Sequence, residues 1–184
     1  AEVDWRKLIA LEDPACLAAA LEVWKRLLTG FDWDGVNVAE LYFEPDIEPA
    51  NFTPFHPSAL RRFRGDPVKD CDRFLDFRTD LVVELNDAFL RNLNGLPNAA
   101  ELDFQLTVID DRLDPDLGRL VGSDIARLAG VAQKNGASLQ VEDPFTVWTD
   151  GPLRYDRLAG EVGALMPPGQ AFIDVNVVDR DGGR

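Results

Sequence analysis

Stretches with helical periodicity and stretches with strand-like content alternate along the chain in the order α, β, α, α, β, α, β, α, β, which predicts an α/β protein with a parallel sheet and right-handed crossovers. Spacing points to the same class. From strand start to strand start the steps are roughly 67, 36 and 34 residues, and the last two lie near the ~31 expected when ~250 residues make eight βα units. Composition agrees, since 46% hydrophobic residues supply ample material for a core and rule out a disordered polymer. The length of 184 residues sets an expectation of a single α/β domain spanning residues 1–184.

The first helix begins at Asp13-Pro14, where Asp caps and Pro fits the first turn, and it stops at Thr29-Gly30. Leu17, Leu21, Trp24 and Leu28 mark its buried face. In FDWDGVNVAELYF, Val36, Val38 and Leu41 predict a strand of roughly seven residues. The proline-rich EPDIEPANFTPFHP that follows has no periodicity, and loops of that length are usually functional or disordered. Pro57 opens a short helix, SALRRFR, ended by Gly65, and a longer helix runs from Cys71 to Leu93 with Phe74, Phe77, Leu81, Leu85, Ala88 and Phe89 on one face. ELDFQLTVID is the second strand, by its alternation and β-branched content. Ser123 is then expected to cap DIARLAGVAQKN, which Gly136 ends before the strand SLQVED. A helix near LRYDRLAGEVGALM, the turn Pro167-Pro168-Gly169 and the strand AFIDVNVVD complete the chain.

Several function classes drop out on composition. With 33 Asp and Glu against 19 Lys and Arg, the net charge of -14 repels phosphate backbones and anionic membrane surfaces, so no nucleic-acid partner is expected. No apolar run is long enough to span a bilayer. Cys16 and Cys71 show no metal-ligand spacing and sit in helical, apolar contexts, which favours inert thiols over a disulfide. His56 is the only histidine, which excludes a multi-histidine metal site. No GxGxxG follows a strand and no GxxxxGK[ST] occurs, so no cofactor is expected.

In parallel α/β proteins ligands sit at the carboxyl ends of the strands. Acids recur there: Glu40 and Glu44, Asp110 and Asp111, Glu142 and Asp143, and Asp179. Gathering them in one basin costs like-charge repulsion unless protons, a cation or substrate dipoles relieve it. Each of them could instead cap the next helix. Alternation refines the set. Gln140 and Glu142 share a face, as do Gln105, Thr107 and, by continuation, Asp111, and as do Asp174 and Asn176, so Glu142 and Asp111 are expected to point inward. Asn37 and Glu40 have opposite parity, which leaves the first strand open. Aromatic residues on or near the same ends, with Tyr42, Trp148 and Tyr155 among them, suit the apolar faces of sugar rings, whose hydroxyls seek carboxylates and amides. Phe52 and Phe55 serve equally well as pins for the long loop. His56 fits a loop hydrogen bond better than catalysis, with substrate binding open.

In combination, DGVNVAELYFE, FTPFHPSALRRF, FLDFRTDLV, LTVIDD, LQVEDPFTVWTDGPLRY and FIDVNVVDR resemble the glycoside-hydrolase-like (β/α)8 barrels of bacteria, some of which lie beside polysaccharide deacetylase modules. The resemblance covers the chain from Asp34 onward. It implies hydrolysis or binding of an oligosaccharide or polysaccharide, with a cell-envelope or extracellular setting. Carried over, Glu40 resembles the general acid and Glu142 its partner, with Asp110 and Asp111 in support and Tyr42, His56, Asp143, Trp148 and Asn176 binding substrate. Two alternatives stand beside it. One is a non-catalytic glycan-binding or scaffold barrel. The other is a magnesium-dependent barrel of the enolase type, because Asp, Glu-Asp-Pro and Asp at successive strand ends are oxygen-rich. Only four of the eight strands of a closed barrel are recognisable, so the chain is expected to be about half of one, a fragment that associates with itself or with the remainder of a barrel.

Overall fold

The computed structural model describes residues 9–48, 52–148 and 150–175. Helix α1 (Pro14–Thr29) leads into strand β1 (Gly35–Val38), and helices α2 (Pro57–Phe63) and α3 (Cys71–Asn94) lead into β2 (Asp103–Ile109). Helices α4 (Pro115–Val121) and α5 (Ile125–Lys134) precede β3 (Ser138–Glu142), and α6 (Leu153–Leu165) precedes β4 (Ala171–Ile173). The strands form one sheet in the order β1-β2-β3-β4, and every pair is parallel. Val38, Leu106 and Leu139 stand in one row across the sheet, with Ala171 beyond them. This consecutive parallel order with helices between strands is that of half a βα-repeat barrel.

Parity divides the sheet. Val38, Leu106, Val108, Leu139 and Val141 point to the helix side, where they are buried against Phe89, Leu90 and Leu93 of α3, Leu128 and Ala132 of α5, and Leu158 and Val162 of α6. Helix α1 joins this layer through Trp24, whose ring meets that of Phe89 edge-on at 4.9 Å. The opposite face carries Asn37, Gln105, Thr107 and Gln140. Thr107 Oγ1 donates to Asn37 Oδ1 at 2.9 Å, and Gln105 Nε2 donates to Gln140 Oε1.

A second apolar cluster, Phe52, Phe63, Phe74 and Leu75, fastens the long loop after β1 to α2 and α3. Phe55 stacks on Phe74 at 6.1 Å, so both loop phenylalanines act as pins. Under the same loop lies Arg78 of α3, fully buried. Its guanidinium carbon sits 4.7 Å from the Phe43 ring and 5.2 Å from the Phe52 ring. Nη2 donates to the Glu44 carbonyl at 3.3 Å, while Nε and Nη1 have no partner among the described residues. Burial pushes this guanidinium down to about 10, partly opposed by the charge of Asp46.

Four local expectations change. Strand β1 has four residues rather than seven, because the backbone turns left-handed at Glu40 (φ 58°). Helix α4 is additional: Asp114 accepts from the Leu117 amide at 2.9 Å, Pro115 starts the helix, and Gly122 ends it at φ 76°. Asp124, not Ser123, caps α5, and Ser123 Oγ instead donates to the Ile109 carbonyl at 2.7 Å. Strand β4 closes at Ile173, although the Asp174 amide still donates to the Val141 carbonyl at 2.8 Å. Cys16 and Cys71 are free thiols. No helix among the described residues is long and apolar enough to cross a membrane.

Candidate functional site

The strands run side by side in one direction, so their carboxyl ends form a single rim, and the first residues beyond each strand decide what stands there. Glu142 ends β3 on the same face as Gln140 and is half-buried. Its carboxyl lies above the ordinary 4.5, because burial, then the charges of Asp174, Glu40 and Asp143, disfavour ionisation. Glu40, two residues past β1, is exposed on its left-handed turn. Tyr42 is half-buried beside it, and its phenol is pushed up to about 12 by burial first, then by Glu40, Glu142 and Glu44. Glu40, Tyr42 and Glu142 therefore share one electrostatic environment even though β2 separates their strands, and Asp174 belongs to the same rim.

Asp110 and Asp111 have other partners. Asp110, one residue past β2, is fully buried. It accepts from the Arg112 backbone at 2.9 Å and from Arg112 Nε at 3.0 Å, and Arg112 reaches on to Glu161 at 3.2 Å. Asp111 was expected to point inward by continued alternation. The strand stops at Ile109, however, so parity has no meaning there, and Asp111 accepts the Ile125 amide of α5 at 3.0 Å. Its carboxyl is raised mainly by burial. Both acids thus hold helix-side structure rather than joining Glu40 and Glu142.

Asp143 is also locked. Arg154 reaches it through Nη2 at 2.6 Å and Nε at 2.9 Å, and the Tyr155 hydroxyl donates to it at 3.0 Å, which ties the end of β3 to the start of α6. Trp148 Nε1 donates to the Asp143 carbonyl at 3.2 Å, so this half-exposed indole is fixed beside the strand end, where it can offer a ring face. His56 caps α2: its Nδ1 accepts from the Ser58 amide at 3.3 Å. Ser58 Oγ donates to Asp13 at 2.5 Å and Nδ1 lies 3.8 Å from the same carboxylate. This trio does not form a catalytic triad, because the hydroxyl is bonded to the acid rather than to the imidazole. It braces α2 against α1, where Asp13 caps, and the Ser58 and Cys16 hydrogen bonds hold the Asp13 carboxyl below the usual range. Asn176 and Asp179 lie outside the described residues.

Asp174 was paired with Asn176 by alternation but not counted among the strand-end acids, because β4 was expected to run to Asp179. Arg78 carries no sequence signal, being one charged residue in a long helix with many. No group of three or more His, Cys, Asp or Glu side chains able to hold a metal ion occurs among the described residues. Guanidinium groups occupy Asp110 and Asp143, two of the carboxylates that an enolase-type cation site would need. Comparison with family models, with curated proteins and with solved structures returns no match.

Proposed function

We propose that the protein is a glycoside-hydrolase-like carbohydrate-active protein, with Glu142 and Glu40 as its working carboxylates. The observation that carries this reading is the raised carboxyl of Glu142 on the rim it shares with Glu40 and Tyr42. Glycoside hydrolysis needs one carboxyl that stays protonated to donate to the leaving oxygen, and one that stays ionised to attack the anomeric carbon or activate water. The resemblance assigns the acid role to Glu40, but the surroundings that raise a carboxyl are those of Glu142. Glu142 is therefore the proton donor and the exposed Glu40 the nucleophile or base. Tyr42 lies within reach of both carboxyl groups with its proton retained, and so supplies a hydroxyl donor to a sugar oxygen. Trp148 offers a stacking face.

Release of reducing ends from a panel of oligosaccharides tests this directly. Glu142→Gln and Glu40→Gln are each expected to lower turnover by about 10²–10⁴-fold. Unchanged hydrolysis in both variants would refute the assignment. Binding without turnover is the second reading, favoured by the half-exposed Trp148. It predicts measurable oligosaccharide affinity that Trp148→Ala abolishes, and no reducing ends from the native protein.

A further inference from the structure

Basic residues are scarce in this chain, yet Arg61, Arg62 and Arg64 fall close together on α2 and at its end. Most described cations answer a nearby carboxylate, as Arg91, Arg119, Arg127 and Lys134 do on the helix layer. Within this run only Arg62 has an ion-pair partner among the described residues, Glu84 at 2.7 Å. The helices fix where the run stands. Asp13 at the head of α1 bonds Ser58 of α2, whereas Asn98, past the end of α3, donates to the Leu28 carbonyl near the end of α1 at 3.3 Å. Helix α1 therefore runs alongside α3, which descends from the carboxyl end of β1 to the amino end of β2. Its head and α2 meet at the carboxyl end of the sheet, on the helix side.

An open pocket of about 650 Å³ lies at this meeting point, lined by Glu12, Pro14, Ser58, Arg61, Arg62 and Arg64. That is room for a small ligand. Two of its guanidinium groups are held in place: Arg61 Nη2 donates to the buried Ser58 Oγ at 3.2 Å, and Glu84 takes only Nη2 of Arg62, at 2.8 and 2.7 Å. The remaining donors of both have no acceptor among the described residues. Arg64 ends α2 in the left-handed region at φ 55°, where glycine alone pays no steric cost, although Gly65 stands next in the chain. A side chain kept there against that cost points to use of its guanidinium. Glu12 adds one carboxylate to the lining, which disfavours a bare anion and accepts from hydroxyl groups.

We propose that this pocket binds a small polyhydroxylated ligand carrying a tetrahedral oxyanion, the phosphate or sulfate ester of a sugar being the class that fits. Guanidinium groups offer such an oxyanion paired N–H donors, and Glu12 takes hydroxyls of the body that carries it. Arg61 and Arg64 bring charge that no ion pair among the described residues consumes. The pocket shares no residue with Glu40, Tyr42, Glu142 or Trp148, so the inference is independent of the glycan reading.

Calorimetric titration of the full 184-residue chain with glucose 6-phosphate, glucose 6-sulfate, inorganic phosphate and glucose is the test. An ester is expected to saturate a single site, more weakly as salt is added, with inorganic phosphate weaker and glucose silent. The tighter ester identifies the group. Arg61→Gln is expected to lower that affinity about tenfold, the worth of a charge-assisted hydrogen bond. Arg64→Gly is expected to do the same while melting no lower than the native protein, because glycine adopts the left-handed cap freely. Glu12→Gln is expected to tighten inorganic phosphate. No saturable binding of either ester overturns the proposal, as does glucose binding equally well. Affinity unchanged in both Arg61→Gln and Arg64→Gly overturns the site, and inorganic phosphate binding as tightly as the esters overturns the ligand class.

Discussion

Replacing Glu142 by Gln keeps the shape of the side chain and removes a charge that burial, Asp174 and Glu40 all oppose. A carboxyl raised in the folded state contributes stability that is present below the ordinary 4.5 and is lost as pH climbs through its folded value. Glu142→Gln is therefore expected to melt higher than the native protein at neutral pH and to show no gain below pH 4.5, as thermal unfolding at the two pH values would reveal. A lower melting point at neutral pH would mean that Glu142 has an ion partner. Tyr42 offers an independent probe of the same rim. Its phenol is expected to titrate near 12, and to move toward its ordinary value of 10 in Glu40→Gln and in Glu142→Gln, as followed by tyrosinate absorbance. Alternation was sufficient to find Glu142, because SLQVE is a true strand with two clear faces. It misplaced Asp111, because counting parity past Ile109 assumes a strand that has already ended.

Elements were legible where a long stripe or a clear stop signal defines them. Helix α3 runs within a residue of its expected span because its apolar face repeats over many turns, and α1 and β3 follow from equally plain patterns. Helix α4 was missed although Asp114, Pro115 and Gly122 are a cap, a first-turn proline and a stop, since seven residues are too few to display a face. Its packing explains a sharp contrast among glycines. A Cβ at Gly118 would stand 2.3 Å from the Asp111 Cβ, so Gly118→Ala is expected to cost about 1–3 kcal/mol in chemical denaturation by pushing away the carboxylate that holds the start of α5. Gly130 is exposed on α5 with nothing within 4 Å, so Gly130→Ala is expected to gain about 0.5–1 kcal/mol from helix propensity. Equal effects at the two positions would contradict this account of α4.

At the scale of the whole molecule, the parallel half-barrel order was readable from spacing, because every crossover needs its helix and the strands then fall into sequence order. The division of charge was not readable, since it depends on which side of the sheet each acid faces. Arg62, Arg119, Arg127 and Lys134 pair with Glu84, Asp72, Asp80 and Asp87 across the helix layer, while the rim keeps Glu40, Glu142 and Asp174 close together. Arg78 adds a different consequence. Folding takes its guanidinium out of water with two nitrogens unpartnered among the described residues, so the proton is held less tightly than in the unfolded chain. The resulting cost persists through neutral pH and fades only as pH rises past about 10 toward the ordinary guanidinium range. Detaching the segment around Phe43 and Glu44 returns that cation to solvent, so partial opening there is less costly than anywhere along the central strands. Hydrogen exchange should show the Phe43 amide, bonded to the Val121 carbonyl, opening faster than those of Leu106 and Leu139, with the gap narrowing in Arg78→Met. Water is then expected to reach the rim, through the segment that carries Glu40 and Tyr42, before it reaches the central strands.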